Sequence, residues 1–395
     1  MKFNTSGVNM DSQTTTQKKI KVALIIDEFF GALNTPYGGY GFLARNLIAK
    51  YLPNKDIELD VLLGKGKSRF FAEMTRIDNV DVFKLPRKKF FASRWLATKN
   101  YDIYLSIELT YSYVLECERN KDKKLILWIQ DPRPKYEWDE INTVKLFTET
   151  SYYNQKIYNL VHDWYKSDRV RFISQAYFLN QKAKDLYRLD ESVPIQYLPN
   201  PIEIDYSFDL NSYTKKNMII FLGRLESVKR GWLFCEIAKL MPEYEFYVLG
   251  QTFREKDQNQ SIFVDYQAIP NLHFVGHIEG EEKNTYLKNA KILVNTSIHE
   301  ALPVSFIEAL SYGTLLVSNR NPDNLTSKFG EYVGDVLGDG FDKVNLYVDA
   351  INTIMKDDNT RHARAKDAIQ YVKDNHNLDD FRKNMRDIIK QSIKH

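Results

Sequence analysis

A chain of 395 residues, 43% hydrophobic and 27% charged, can bury a large core and is too long for one ordinary domain. A formal net charge of +3 is too small for a nucleic-acid binder, and no run of about 18 apolar residues is present to cross a membrane. Cys117 and Cys235 lie far apart without metal-ligand spacing, which fits packed thiols in a reducing compartment. The 25 Tyr and 23 Phe are spread along the chain and read as core.

Residues 1–19 are polar and lack the apolar centre of a signal peptide, which predicts a disordered tail on a cytoplasmic protein. Strands are then predicted at 21–27 (KVALIID), 58–64 (ELDVLLG), 80–86, 101–109 (YDIYLSIEL), 124–131 (KLILWIQD) and 170–175 (VRFISQ), with helices over 40–52 and 178–188. These strands are near-continuous apolar runs, as expected of a parallel sheet covered on both faces. The Pro-containing stretch 196–217 reads as the link to a second unit. There, strands are predicted at 218–224 (MIIFLGR), 245–250, 271–278, 291–297 (KILVNTS) and 314–320, a helix at 229–241, and a charged helical end from Thr360. The alternation predicts two Rossmann-like, doubly wound α/β domains facing across a cleft, with ligands at the carboxyl ends of the strands. The expected division is 20–200, a linker at 201–217, a second domain over 218–372, and 373–395 as a helix returning to the first domain.

Three stretches carry candidate chemistry. In HEALPVSFIEALSYG (299–313), Pro303 suits a first helical turn and Gly313 a stop. The helix start offers unpaired N–H groups to a diphosphate. Glu308, roughly a turn and a half along, reaches toward a ribose diol, and Glu300 toward a sugar. The plainer reading is a surface acid beside an amphipathic helix carrying a stray Glu. In FLGRLESVKRG (221–231), a strand ends at Gly223, and Arg224 and Lys229 are two cations suited to a diphosphate; alone, this is a solvated basic loop. In TPYGGYGFLARNLIAK (35–50), glycines let backbone approach a phosphate or sugar. Gly39, Gly41 and Ala44 formally spell a dinucleotide fingerprint, but the loop is too long and no acid ends the second strand. His162 reads as a packed or surface histidine rather than a base.

The order of Gly-rich loop, GRLESVK and HEALPVSFIEALSYG resembles retaining glycosyltransferases of the GT-B fold, family GT4, as do FISQAYFLNQKAKDLY and YLPNPIEI. The resemblance covers the chain after residue 20. It implies that Arg224 and Lys229 hold the donor diphosphate and that Glu308 binds ribose. Glu300 then contacts the donor sugar, backbone from Leu302 through Pro303, Val304 and Ser305 touches sugar and phosphates, and Gly276, His277 and Ile278 sit near the base. Gly38 and Gly39 approach from the other domain. Glu300, Arg224 and Lys229 are the expected catalytic set.

The family often carries a His-Asp pair where this chain has Gln130-Asp131; these become donor-sugar or acceptor contacts, with Gln130 limited to hydrogen bonding to the sugar or to backbone positioning. WIQD also occurs in some bacterial rhamnan-type members, a resemblance that implies a deoxysugar or a cell-surface polysaccharide, and so surface polysaccharide or glycoconjugate synthesis. With no Asp-x-Asp at a strand end, the expected reaction is metal-independent transfer of a hexosyl-type sugar. The nucleotide-sugar is a co-substrate, no cofactor is required, and the acceptor is a glycan, lipid-linked or protein-linked group. Peripheral contact at the inner face of a membrane is compatible with this. Two other readings keep the fold: a nucleotide-sugar 2-epimerase, and a nucleotide-sugar-binding subunit without turnover.

Overall fold

The computed structural model describes residues 18–29, 31, 39–146, 151–251 and 259–394. Most of the 1–19 tail, and Gly38, lie outside them.

The first lobe is built on an eight-stranded sheet in the order β3-β4-β2-β1-β5-β6-β7-β8. Its strands are β1 (Ile20–Ile25), β2 (Ile57–Lys65), β3 (Glu73–Ile77), β4 (Val80–Leu85), β5 (Ile103–Ile107), β6 (Lys124–Ile129), β7 (Val170–Ser174) and β8 (Ile195–Tyr197). All neighbours are parallel except β3 and β4, which form a hairpin. Successive residues of β1 face opposite ways, and both faces are covered. Val22 and Leu24 join one buried cluster with Leu47 and Met385, whereas Ala23 and Ile25 join another with Leu127 and Val161. That is why the strand reads as one apolar run.

The second lobe has six parallel strands in the order β11-β10-β9-β12-β13-β14. They are β9 (Met218–Leu222), β10 (Glu245–Leu249), β11 (Leu272–Gly276), β12 (Ile292–Asn295), β13 (Leu315–Ser318) and β14 (Gly330–Tyr332). The helices that matter for function are α1 (Gly39–Phe42), continued in a wider winding over Leu43–Ala49, α2 (Lys89–Lys99), α3 (Lys135–Ile141), α4 (Leu179–Tyr187), α5 (Gly231–Leu240), α6 (Gly280–Asn289), α7 (Val304–Ser311), α8 (Asp358–Asn375) and α9 (Leu378–Lys394).

β3, β8 and β14 are not predicted by the sequence. β3 (EMTRI) is short and carries polar residues on both faces, and β8 and β14 have three residues each. The stretch 196–217 accordingly holds the end of β8, and its Leu210 is buried. The final helical segment breaks at His376 into α8 and α9. α9 lies on the first lobe: Phe381 stacks on Trp128 at 5.3 Å, and Arg171 donates to the Ile388 carbonyl at 3.2 Å. Where the chain crosses between lobes, Ile202 N–H donates to the His376 carbonyl at 3.0 Å, and His376 Nδ1 lies 2.8 Å from the Asn200 carbonyl. His162 is a packed residue, with Nδ1 3.0 Å from the Tyr187 carbonyl.

The lobes also meet along a polar seam. Asp323 accepts the N–H groups of Tyr177 and Phe178, both at 2.8 Å, at the start of α4. Asp339 accepts Lys145 N–H at 2.8 Å, and His299 Nε2 meets Glu140 of α3 at 2.6 Å. Burial, with Arg320, Arg133, Lys182 and Arg230 nearby, pushes the His299 imidazole down to about 3, so it is neutral and donates to Glu140.

Candidate active site

In the second lobe, β9 is the central strand where the order turns outward on both sides, and such a point leaves a crevice at the carboxyl ends. Gly223 follows β9 there. Gly250, after β10, is pressed against it: a Cβ on Gly250 would stand 1.9 Å from the Gly223 carbonyl oxygen, so only glycine fits. The stretch after β9 is bound to the stretch after β12. Ile298 N–H donates to the Val228 carbonyl at 2.8 Å, and Thr296 Oγ1 donates to the Lys229 carbonyl at 2.8 Å. The guanidinium of Arg230, fully buried, donates to the Thr296 carbonyl at 2.7 Å.

This closure brings Lys229 and Glu300, 71 positions apart, into an ion pair. Ser297 Oγ donates to the same Glu300 oxygen at 2.6 Å. Burial pushes the Glu300 carboxyl up, but Lys229, the Ser297 bond and the nearby Arg133 outweigh it and hold the group below the usual carboxylate range. Arg224 is exposed and pairs with Glu226 at 3.0 Å. Glu308 is flanked by the fully buried Phe306, Ile307, Ala309 and Leu310, yet its own side chain is only partly covered and meets Lys283 of α6 at 2.6 Å. The Lys283 ammonium also stands 5.7 Å from the Phe42 ring of α1, across the cleft. Glu308 thus lies on the cleft side of α7 and is not a buried stray.

Pro303 is the N-cap of α7, one position before the first turn expected for it, and Gly313 takes φ +66 just past the end. Leu302 is buried, whereas Pro303, Val304 and Ser305 are partly exposed where the helix begins. Gly276, at φ +88, ends the edge strand β11, the exposed His277 follows it, and Ile278 is buried.

The first lobe contributes its own carboxyl-end rim. Gly39 opens α1 with free space where a Cβ would be. Asp131 is bonded by Arg133 at 2.6 Å, and Glu137 of α3 lies 3.7 Å from the same guanidinium. Of the two roles expected for Gln130, sugar contact and positioning, its surroundings fit the second. Its side chain is 1% exposed, and its amide is engaged in both directions with Asn200, at 3.1 and 3.0 Å. It braces the lobe interior and is not presented to a sugar. Glu108, buried in the left-handed region at φ 41, accepts the N–H groups of both Gln130 and Asp131 at 2.9 Å and so sets that turn.

Four cleft residues were missed by sequence reasoning. Arg133, Lys283 and Glu108 are charged residues among ordinary neighbours, and only the fold shows what they face. The fourth, Glu28, follows β1 and accepts Gly41 N–H at 3.1 Å. Burial pushes its carboxyl up to about 7, with Asp27 and Glu226 adding to the rise, while the Gly41 bond and Arg224 of the other lobe oppose it. The signal available was an acid at the end of the central strand. Among the described residues, no three His, Cys, Asp or Glu side chains gather as a metal-ligand set.

The family described as Glycosyl transferases group 1 matches residues 203–371, which span β9 to α8 and include Arg224, Lys229, Glu300 and Glu308. The second lobe is a glycosyl transferases group 1 domain. With the first lobe it makes a GT-B fold. The structure is similar to sucrose-phosphate synthase from Thermosynechococcus elongatus, with a TM-score of 0.69 at 13% identity, covering 94% of this chain and 99% of that one. It is also similar to Anabaena HepE in complex with UDP-glucose, with a TM-score of 0.63 at 11% identity, covering 94% and 100%. In sequence, the chain is 27% identical over 192 residues to a Campylobacter jejuni protein, the GalNAc-alpha-(1->4)-GalNAc-alpha-(1->3)-diNAcBac-PP-undecaprenol alpha-1,4-N-acetyl-D-galactosaminyltransferase. That match takes in 46% of this chain and spans half the length of the relative.

Proposed function

We propose that this chain is a glycosyltransferase that moves a sugar from a nucleotide-sugar to a glycan or lipid-linked acceptor, with retention at the anomeric carbon. The observation that carries the reading is the Lys229–Glu300 pair on the rim of a glycosyl transferases group 1 domain that also bears Arg224 and Glu308. The C1–O bond to the diphosphate breaks, and the new C1–O bond forms on the same face. The departing phosphate oxygen takes the acceptor proton, so no protein nucleophile is needed. Arg224, Lys229 and the start of α7 face the charge that develops on the leaving group, which is electrostatic catalysis. Glu300, held by Ser297, positions the sugar, and Glu308 binds ribose. Asp131 and Arg133 contribute from the first lobe.

Lys229 cannot leave Glu300 without exposing a buried carboxylate, so it serves sugar and diphosphate together. The Campylobacter relative's name describes an undecaprenol diphosphate-linked acceptor, which supports a lipid-linked acceptor and a role in surface glycan synthesis here. HepE is described with UDP-glucose, which makes UDP-sugars the first donors to test. Thermal unfolding of the full chain with UDP-, GDP-, ADP- and dTDP-sugars is the direct experiment, since a ligand bound only to the native state raises stability by RT ln(1 + [L]/Kd). One nucleotide class should raise the midpoint, and that donor should then be hydrolysed or transferred in EDTA. A donor returned as its 2-epimer makes the chain an epimerase. Binding with neither hydrolysis nor transfer makes it a binding subunit.

A further inference from the structure

The first lobe carries an apolar surface that the reading above does not use. Phe70, Phe71, Phe90 and Phe91 are 52%, 75%, 64% and 36% exposed, against the expectation that the aromatics are core. They form one cluster, with ring centroids 5.1 Å apart for Phe70–Phe91, 5.4 Å for Phe90–Phe91 and 6.4 Å for Phe70–Phe71. The two stretches that bear them, GKGKSRFF after β2 and RKKFF at the start of α2, are bonded together. Arg87 N–H donates to the Ser68 carbonyl at 2.8 Å, and Lys88 N–H to the Arg69 carbonyl at 3.3 Å. Tyr113 OH bonds the Pro86 and Arg87 carbonyls at 2.7 and 2.8 Å, which fixes the base of the patch.

Cations surround these rings. Lys67, Arg69, Arg87 and Lys88 are exposed, and among the described residues none has an ion-pair partner. Lys65 and Arg94 are exposed as well. The nearby acids are engaged within the chain: Glu73 accepts backbone N–H groups, including that of Ser68 at 3.2 Å, and Glu116 pairs with Lys89. α2 has no acid in its first turn and begins with Lys88 and Lys89, where the helix dipole disfavours cations. Lys89 is answered by Glu116, so helix stability leaves the Lys88 charge unexplained. Exposed rings beside fixed cations are the composition that seats a protein at a membrane interface, with apolar groups in the acyl boundary and cations at anionic headgroups.

The patch follows β2 and β4, on the same carboxyl-end rim that carries Glu28 after β1 and Asp131 after β6. We propose that this Phe/Lys/Arg surface docks the first lobe on an anionic phospholipid bilayer, with its acceptor-side rim turned toward the lipid. The docking stands apart from the transfer reading, because it needs no donor and no turnover.

The test is flotation of the full chain with vesicles of phosphatidylcholine alone, or with about a third phosphatidylglycerol. The chain should float only with the anionic vesicles. Reversing two cations, Arg87→Glu with Lys88→Glu, should lower partitioning about 25-fold or more, at about fivefold for each cation near the surface. Phe71→Ser with Phe90→Ser leaves the charge unchanged and should lower it about tenfold or more. Lys356→Glu with Lys366→Glu, exposed on the second lobe, should leave it within about twofold of the parent. Equal melting midpoints across the set establish that the variants fold. Failure of the parent to float overturns the proposal, as does a Phe pair variant that partitions like the parent. Tighter binding of a single-stranded oligonucleotide through the same four residues would assign the patch to nucleic acid instead. None of these outcomes bears on donor binding, so the two readings fail separately.

Discussion

Replacing Lys229 by Met tests the cleft without any substrate. The change keeps the side chain's bulk and removes the cation that neutralises Glu300. Removing one partner of a fully buried pair costs about 3–5 kcal/mol, because the other charge is left uncompensated. Here the Lys229 side chain is 23% exposed and that of Glu300 10%. Ser297 Oγ at 2.6 Å and Asn295 Nδ2 at 3.4 Å remain on the carboxylate. The expected loss is therefore at the lower end, about 2 kcal/mol, or about 4–8 °C in the midpoint for a lobe of this size. The double variant Lys229→Met, Glu300→Gln removes the stranded charge and should lose only about 1 kcal/mol, less than the single change.

The pH dependence has a definite sign. In the parent, the Glu300 carboxyl titrates below its ordinary value, so its contribution is present above about pH 4.5 and fades as pH falls through the lower folded value. In Lys229→Met the same buried carboxyl titrates above its ordinary value, so the deficit is full at pH 7 and shrinks as pH falls toward 4.5. Denaturant unfolding at pH 7 and pH 5 reads both effects. A Lys229→Met chain within about 0.5 kcal/mol of the parent at pH 7, or a double variant worse than the single, would refute the assignment of this pair as a buried, mutually dependent charge couple.

Arg224→Ala and Lys229→Ala should each raise the barrier to transfer by about 2–4 kcal/mol; steady-state turnover near the parent in both would remove the diphosphate assignment. Glu308→Gln should raise donor KM more than it lowers kcat, because ribose is unchanged by the reaction, whereas Glu300→Gln should mainly lower kcat. Donor titrations separate the two, and matching losses of kcat with KM intact would sink the division of roles. Burial pushes the His376 imidazole down to about 4. The unfolded chain then takes up the proton first as pH falls below about 6.5, and stability is lost between there and about 4. At pH 5 this one group should cost about 2 kcal/mol relative to pH 7. His376→Gln should flatten that slope in denaturant titrations, and an unchanged slope counts against a neutral, buried imidazole.

Elements whose signal is local are legible in the amino-acid order. Strands such as KVALIID and KLILWI are apolar throughout because both sheet faces are covered, and that composition is visible without a fold. The same holds for Gly313, whose left-handed φ suits glycine, and for Glu308, whose polarity among buried neighbours marks a helix face turned to the cleft. The short strands β3, β8 and β14 were invisible, because three to five residues borrow their pairing from a neighbour and carry little period of their own.

Which side chains meet is a matter of long-range packing. Gln130 looked available at a strand end, but its amide is consumed by Asn200, 70 positions away. Lys229 meets Glu300 across two stretches that the fully buried Arg230 and Thr296 bond together. Lys283 has no distinguishing mark in the sequence, and α6 sets it against Glu308 and Phe42. Phe70 and Phe91 read as core and proved to be surface, since nothing near them in the chain states whether a helix or loop will cover them. Charge neutralisation and aromatic burial are settled by long-range packing, where partners are chosen by topology rather than by spacing, and a linear pattern does not encode that choice.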